Sequence, residues 1–123
     1  NANWFFENVI LLGDALHTAH FSIGSGTKLA MEDSIELAGC FQTSEDVTEA
    51  LGMFTQRRRP VIEDYQAAAF ESMVWFENAA NYLNLSPMEL ALSVMTRSGR
   101  VTFEDLQKRD PLFASKYLQS TQS

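Results

Sequence analysis

The stretch that decides the fold is Gly13-Asp14-Ala15-Leu16-His17-Thr18-Ala19-His20-Phe21-Ser22-Ile23-Gly24-Ser25-Gly26-Thr27-Lys28-Leu29-Ala30-Met31-Glu32-Asp33. Before it lies an apolar run, Asn8-Val9-Ile10-Leu11-Leu12, of the length expected for a strand buried on both faces. After it the apolar residues fall at helical spacing. A strand, an acidic turn, a glycine pair and a helix start make a cradle for a dinucleotide. Asp14 stands where a carboxylate accepts hydrogen bonds from a ribose diol. Gly24 and Gly26 carry no side chain, so the backbone there can approach a flat or charged ligand closely. The helix opening near Thr27 aims free N–H groups and the positive end of its dipole at that ligand.

Size and charge narrow the alternatives. The chain has 123 residues, enough for one small domain, and 46% of them are hydrophobic, so it is expected to fold. Sixteen acidic against nine basic residues leave a net charge of −7. A field of that sign repels phosphate, which argues against nucleic acid and anionic membrane as partners. No apolar run approaches the roughly 20 residues of a membrane helix, and no signal-peptide pattern is present. The single cysteine, Cys40, excludes an internal disulfide and fits a reducing cytosol. With Leu37, Ala38 and Phe41 around it and no basic neighbour, it reads as a buried, inert thiol.

The remainder reads as helical scaffold. Leu29, Ala30, Asp33, Ile35, Leu37, Ala38 and Phe41 place a helix over about 27–41, closed by a break at Gln42-Thr43-Ser44. Thr43 or Ser44 is the expected cap of the next helix, with Glu45 and Asp46 in its first turn. That helix runs through Val47, Leu51 and Phe54 to Arg57-Arg58-Arg59, where Pro60 ends or kinks it. Ile62, Tyr65, Ala69, Met73, Phe76, Ala80 and Leu83 then form one stripe along a long helix, widened by Phe70, Val74 and Trp75. Ser86-Pro87-Met88-Glu89 is a helix start, with Ser86 as cap, Pro87 first and Glu89 reaching back. Ser98-Gly99 stops that helix. Thr102 to Asp105 opens a short one to about Arg109, and Asp110-Pro111 ends it. Ser120–Ser123 reads as a polar tail. The fold expected is mainly α, with at most one strand near the N-terminus.

Residues 8–38 resemble the second flavin-contacting motif of the FAD-dependent aromatic hydroxylases, the single-component flavoprotein monooxygenases. The family pattern is Gly-Asp-Ala-Ala-His, a Pro-rich turn, Gly-x-Gly and a helix. Here it reads Gly13-Asp14-Ala15-Leu16-His17, His20-Phe21 and Gly24-Ser25-Gly26. Thr18–Asp33 resembles a narrower branch that hydroxylates aromatic acyl-CoA thioesters such as salicylyl-CoA or 2-aminobenzoyl-CoA. Val74-Trp75-Phe76-Glu77 and Leu92–Ser98 are similar to that branch too. The resemblance implies an FAD cofactor, NAD(P)H as reductant and an aromatic substrate. It implies cofactor contacts from Gly13, Asp14, Gly24, Ser25, Gly26 and Thr27. By the same resemblance the 20–21 turn would face the flavin; His20-Phe21 departs there from the usual Pro-Pro, and Lys28 replaces a common Asn.

No Gly-x-Gly-x-x-Gly turn and no substrate-binding sheet occur in the chain. The reading is therefore a C-terminal piece of a larger enzyme, inactive alone. Asn1-Ala2 looks like a scar, residues 4–41 close an FAD-binding domain, and 42–119 form a helical region. The partners expected are the N-terminal FAD and substrate domains, an aromatic acyl-CoA, and a second copy of the piece itself. Residues 4–12 are expected to rearrange by pairing strands or extending the first helix. Blander readings stand beside these. His17 and His20 at i, i+3 lack the further ligands a metal site needs, so no metal is expected, and His20 is a turn residue before it is a proton relay. Arg57-Arg58-Arg59 reads as a solvated face paired with residues such as Glu63 and Asp64, ahead of a CoA-phosphate contact. The rival function is a non-catalytic helical interaction module carrying a decayed motif.

Overall fold

The computed structural model describes residues 1–121. It divides into two compact units, Asn1–Ala69 and the part from Phe70 onward. Mainly helical architecture is what the periodicity predicts, and it is what forms.

The first unit opens with an antiparallel pair, β1 (Phe5–Phe6) and β2 (Val9–Ile10), in the register Phe5↔Ile10 and Phe6↔Val9. Leu11 N–H donates to the Trp4 carbonyl at 3.0 Å and extends the pairing. The expected single strand, buried on both faces, is thus corrected in detail. Val9 is 62% exposed, and the partner strand comes from just upstream rather than from a parallel neighbour. The physical reason lies in Glu7-Asn8, a two-residue turn between two apolar runs, with Glu7 at φ 51°. Pairing within residues 4–12 satisfies backbone groups that a lone strand would leave open.

A 3-10 turn at Gly13–Ala15 and another at Phe21–Ile23 lead into α1 (Gly26–Thr43), and α2 (Val47–Glu77) follows. Trp4, Leu16, Leu29, Cys40, Ala50, Phe54 and Ile62 form the core of this unit. Helix α1 runs a turn's fraction beyond its expected end, because the Thr43 hydroxyl donates back to the Gly39 and Cys40 carbonyls. Neither Thr43 nor Ser44 caps α2. Asp46 does, accepting from Glu49 N–H at 2.8 Å, while Glu49 accepts from Glu45 N–H at 2.9 Å. Pro60 does not end α2, which continues through it. Phe54 before it and Ile62 after it are both anchored in the core, and that burial outweighs one lost helical hydrogen bond.

In the second unit α2 ends at Glu77 and a 3-10 turn covers Ala79–Tyr82, so the long stripe is shorter than expected. Its members Phe70, Phe76 and Leu83 are exposed. Trp75 is held by a parallel stack on Tyr82 at 4.8 Å and by donation from its Nε1 to Ser93 Oγ at 2.7 Å. Helix α3 (Pro87–Thr96) starts on the expected Ser86–Glu89 capping box, and Gly99 lies beyond its end at φ 70°. Helix α4 (Phe103–Arg109) starts on a second box, Thr102–Asp105. Asp110-Pro111 ends α4 as expected but also starts α5 (Pro111–Thr121), with Asp110 Oδ1 accepting from Phe113 N–H at 3.0 Å. An Asp–Pro pair is a stop for the helix before it and a cap plus first residue for the helix after it. Of the tail, Ser120 and Thr121 belong to α5, and Gln122 and Ser123 lie outside the described residues.

Candidate functional site

The 3-10 turn at Gly13–Ala15 puts Asp14 on the surface and Gly13 beneath it. Gly13 sits at φ 56°, and a Cβ there would lie 3.1 Å from the Ala30 Cβ, so both conformation and space call for glycine. The second turn closes on Gly24 at φ 63°. Between the turns and the start of α1 runs an open groove of about 560 Å³, with Asp14, His20, Phe21, Gly24, Gly26 and Thr27 among its walls. That volume is in the range of small-molecule sites. Of the six expected cofactor contacts, Asp14, Gly24, Ser25, Gly26 and Thr27 come together on this groove. Gly13 does not line it; it supports the turn from below.

Three details set the chemistry of the groove. The Asp14 carboxylate lies 3.9 Å from where a Gly26 Cβ would be, and nothing lies within 4 Å of one on Gly24. The floor is therefore bare backbone beside a carboxylate. Helix α1 begins without a side-chain cap, since Ser25 Oγ donates to the Ile23 carbonyl at 3.2 Å instead. Its first N–H groups are left for a ligand. Third, His20 Nδ1 accepts from Ser22 N–H at 3.3 Å, and its ring lies 4.4 Å from that of Phe21, which is 86% exposed. An accepting Nδ1 leaves the neutral ring its proton on Nε2, a donor. Lys28, in the first turn of α1, is held by Glu32 and by Tyr65 Oη at 3.1 Å. The Glu32 carboxylate raises the Lys28 ammonium above its ordinary value, and Lys28 in turn lowers Glu32.

Under the groove lies a buried polar cluster that pattern reading missed. Asp33 is fully buried, and its Oδ2 meets His17 Nε2 at 2.6 Å and accepts from Gly13 N–H at 3.1 Å. Its Oδ1 accepts from Arg58 Nε at 2.9 Å and lies 2.8 Å from the Arg58 terminal nitrogen in an ion pair. The solvated-face reading of the arginine run is thus corrected at Arg58, which is only 7% exposed. Arg57 does lie outside, 3.1 Å from Glu36, and the Arg59 guanidinium covers the Trp4 ring at 5.3 Å. Arg59 also donates to the Ala2 carbonyl at 2.9 Å, and Asn1 donates to the Ala15 and Leu16 carbonyls. The first two residues therefore engage the unit. Cys40 is buried, and that burial raises its thiol above the ordinary range, with the Glu36 charge adding to it.

No group of three or more metal-ligating side chains occurs among the described residues, and no helix among them is long and apolar enough to cross a membrane.

No family model matches the chain, and no solved structure does. Curated proteins do. The chain is 44% identical over 99 residues to a salicyloyl-CoA 5-hydroxylase from a Streptomyces species, covering 78% of this chain and 19% of that protein. It is 39% identical over 107 residues to the 3-hydroxy-4-methyl-anthranilyl-[aryl-carrier protein] 5-monooxygenase of Streptosporangium sibiricum, covering 86% of this chain and 29% of the relative. With the protodeoxyviolaceinate monooxygenase of Chromobacterium violaceum it shares 37% over 89 residues, 72% of this chain and 24% of the relative. The chain thus spans between 19% and 29% of the length of these relatives. In sequence the chain matches one part of these aromatic monooxygenases, as a fragment of an FAD-dependent hydroxylase does.

Proposed function

We propose that the chain is the part of an aromatic hydroxylase that closes one side of its flavin site. The observation that carries this reading is the meeting of Asp14, bare Gly24–Gly26 backbone and the uncapped start of α1 on one groove. The residues fit the group. Asp14 would accept from the cofactor's hydroxyls, the glycines would admit a flat ring, and the α1 N–H groups would stabilise negative charge gained there. FAD, when bound, supplies the redox chemistry that moves one oxygen atom onto the ring, with NAD(P)H as the electron source. His20 and Phe21 shield the ring face, and His20 Nε2–H offers a hydrogen bond there.

The substrate is an aromatic ring carried as a thioester, on CoA or on a carrier protein. The activities for which the first two relatives are named support this class. The parts of the enzyme that hold the ADP half of FAD and the substrate are the partners of this chain, and the chain alone does not turn over.

The intact protein tests the reading. It purifies yellow, and NADH or NADPH bleaches it faster when the aryl thioester is present. Asp14→Ala lowers flavin affinity by about tenfold or more, the cost of about one charge-assisted hydrogen bond. An intact protein that holds no flavin, or never bleaches, overturns the assignment.

A further inference from the structure

Gly13 and His17, at the two ends of one turn, and Arg58, from α2, converge on Asp33, the one fully buried carboxylate among the described residues. A guanidinium and a backbone N–H have only donors to offer, and the Asp33 carboxylate accepts from both. The two oxygens are divided. Oδ1 takes Arg58, from α2, and Oδ2 takes Gly13 and His17, the two ends of the turn that carries Asp14. Arg58 also donates to the Leu29 carbonyl at 3.4 Å, on the same helix as Asp33. Leu16 buries its side chain between those two ends, but apolar burial is not directional and does not fix which way Asp14 faces. Directional bonds do.

We infer that Asp33, His17 and Arg58 form a clamp that positions the Gly13–Asp14 turn against Gly26, and so shapes the ligand groove, without touching a ligand. These are positioning residues. The inference takes the groove as the flavin-facing site for its purpose, but the clamp itself is read in the absence of flavin.

Amide hydrogen exchange on the full chain, followed by NMR, tests it. In His17→Leu, exchange at Gly13 accelerates about ten- to a hundredfold, the loss of support from a hydrogen bond to a charged group. The Asp14 and Gly26 amide resonances shift with it. Exchange at Leu51 and Phe54, in the core part of α2, changes by less than about threefold, since the global opening they report is little altered. His17→Gln, whose side-chain N–H reaches the place of Nε2, restores Gly13 to near its original rate. Equal acceleration at Gly13, Leu51 and Phe54 in His17→Leu makes the His17 contact a stabiliser of the whole unit with no local positioning effect and overturns the inference, as does an unchanged Gly13. Should His17→Leu fail to fold, Arg58→Lys decides in the same way: it keeps the charge, gives up the planar guanidinium's joint hold on Oδ1 and the Leu29 carbonyl, and is expected to loosen Gly13 while leaving Leu51 and Phe54 alone. Flavin affinity of the intact protein is a separate measurement, so the groove assignment and the clamp fail independently.

Discussion

Asp33→Asn replaces one oxygen of a fully buried group by nitrogen and keeps its shape. Oδ1 accepts from Arg58 Nε at 2.9 Å and is ion-paired with the terminal nitrogen at 2.8 Å; Oδ2 accepts from Gly13 at 3.1 Å and faces His17 Nε2 at 2.6 Å. An amide turned either way sets its own two donors against one of those pairs. The guanidinium also loses its buried counter-charge. Breaking a buried pair from one side costs about 3–5 kcal/mol. Glu32 Oε2, 3.5 Å from Arg58 and partly solvated, compensates in part, which places the loss near the lower end, about 3 kcal/mol. Against a total stability of about 5–15 kcal/mol this is a large share. Urea unfolding followed by circular dichroism reads it as a lower midpoint with an unchanged slope. The double variant Asp33→Leu/Arg58→Met recovers most of the loss, because an apolar pair leaves no buried charge uncompensated. A loss below about 1 kcal/mol for Asp33→Asn, the scale of a surface ion pair, would refute the account of the cluster.

Four further outcomes follow from the geometry. Gly13→Ala is more destabilising than Gly24→Ala by thermal melting: both pay about 1–2 kcal/mol for a Cβ at positive φ, but only Gly13 adds a 3.1 Å contact with Ala30. Equal effects would contradict it. Glu89 is lowered from 4.5 by the Ser86 hydroxyl and N–H, and Asp105 from 3.8 by the Thr102 N–H and hydroxyl. A folded carboxyl with a lowered value stabilises fully above the unfolded value and stops doing so as pH falls through the folded one. The Ser86 and Thr102 amides therefore stay protected at neutral pH and lose protection in acid, below pH 4.5 and 3.8 in turn. Protection unchanged down to the acid limit would count against the capping boxes. Cys40 reacts with a thiol reagent only as fast as the chain opens, so urea accelerates labelling steeply; fast labelling without denaturant would place the thiol at the surface. Finally, Phe6, Val9, Met31 and Ile35 are all more than half exposed, and the isolated chain is expected to self-associate in sedimentation, with a sharp monomer the contrary result.

How much of this was legible depends on how far the relevant physics reaches along the chain. Capping boxes act over three residues, so α3 and α4 could be read directly from Ser86–Glu89 and Thr102–Asp105. The groove was legible because Asp14, Gly24, Ser25 and Gly26 lie within thirteen residues in a patterned order. Helix α5 escaped because Asp110-Pro111 was read only as an ending. Strand pairing within residues 4–12 is one of the two rearrangements the sequence leads one to expect, and the two-residue turn Glu7-Asn8 sets its register. The clamp was out of reach of local reading, since Asp33 and Arg58 are 25 residues apart. One signal did point toward it. Asp33 sits at i+4 from Leu29 and i−7 from Cys40, on the buried stripe of α1, and a carboxylate on such a stripe requires partners from elsewhere.

The unfilled start of α1 has a kinetic consequence. The chain as a whole carries −7, yet its ligand groove sits at the positive end of an 18-residue helix. An anionic ligand such as a flavin nucleotide meets repulsion at long range and attraction only within the last few ångströms. Salt at about 0.1 M shortens the reach of the repulsion to roughly 10 Å while leaving the close contacts nearly intact. Capture of such a ligand by this surface should therefore speed up as salt is added, the reverse of the steering that brings anions to a basic cleft.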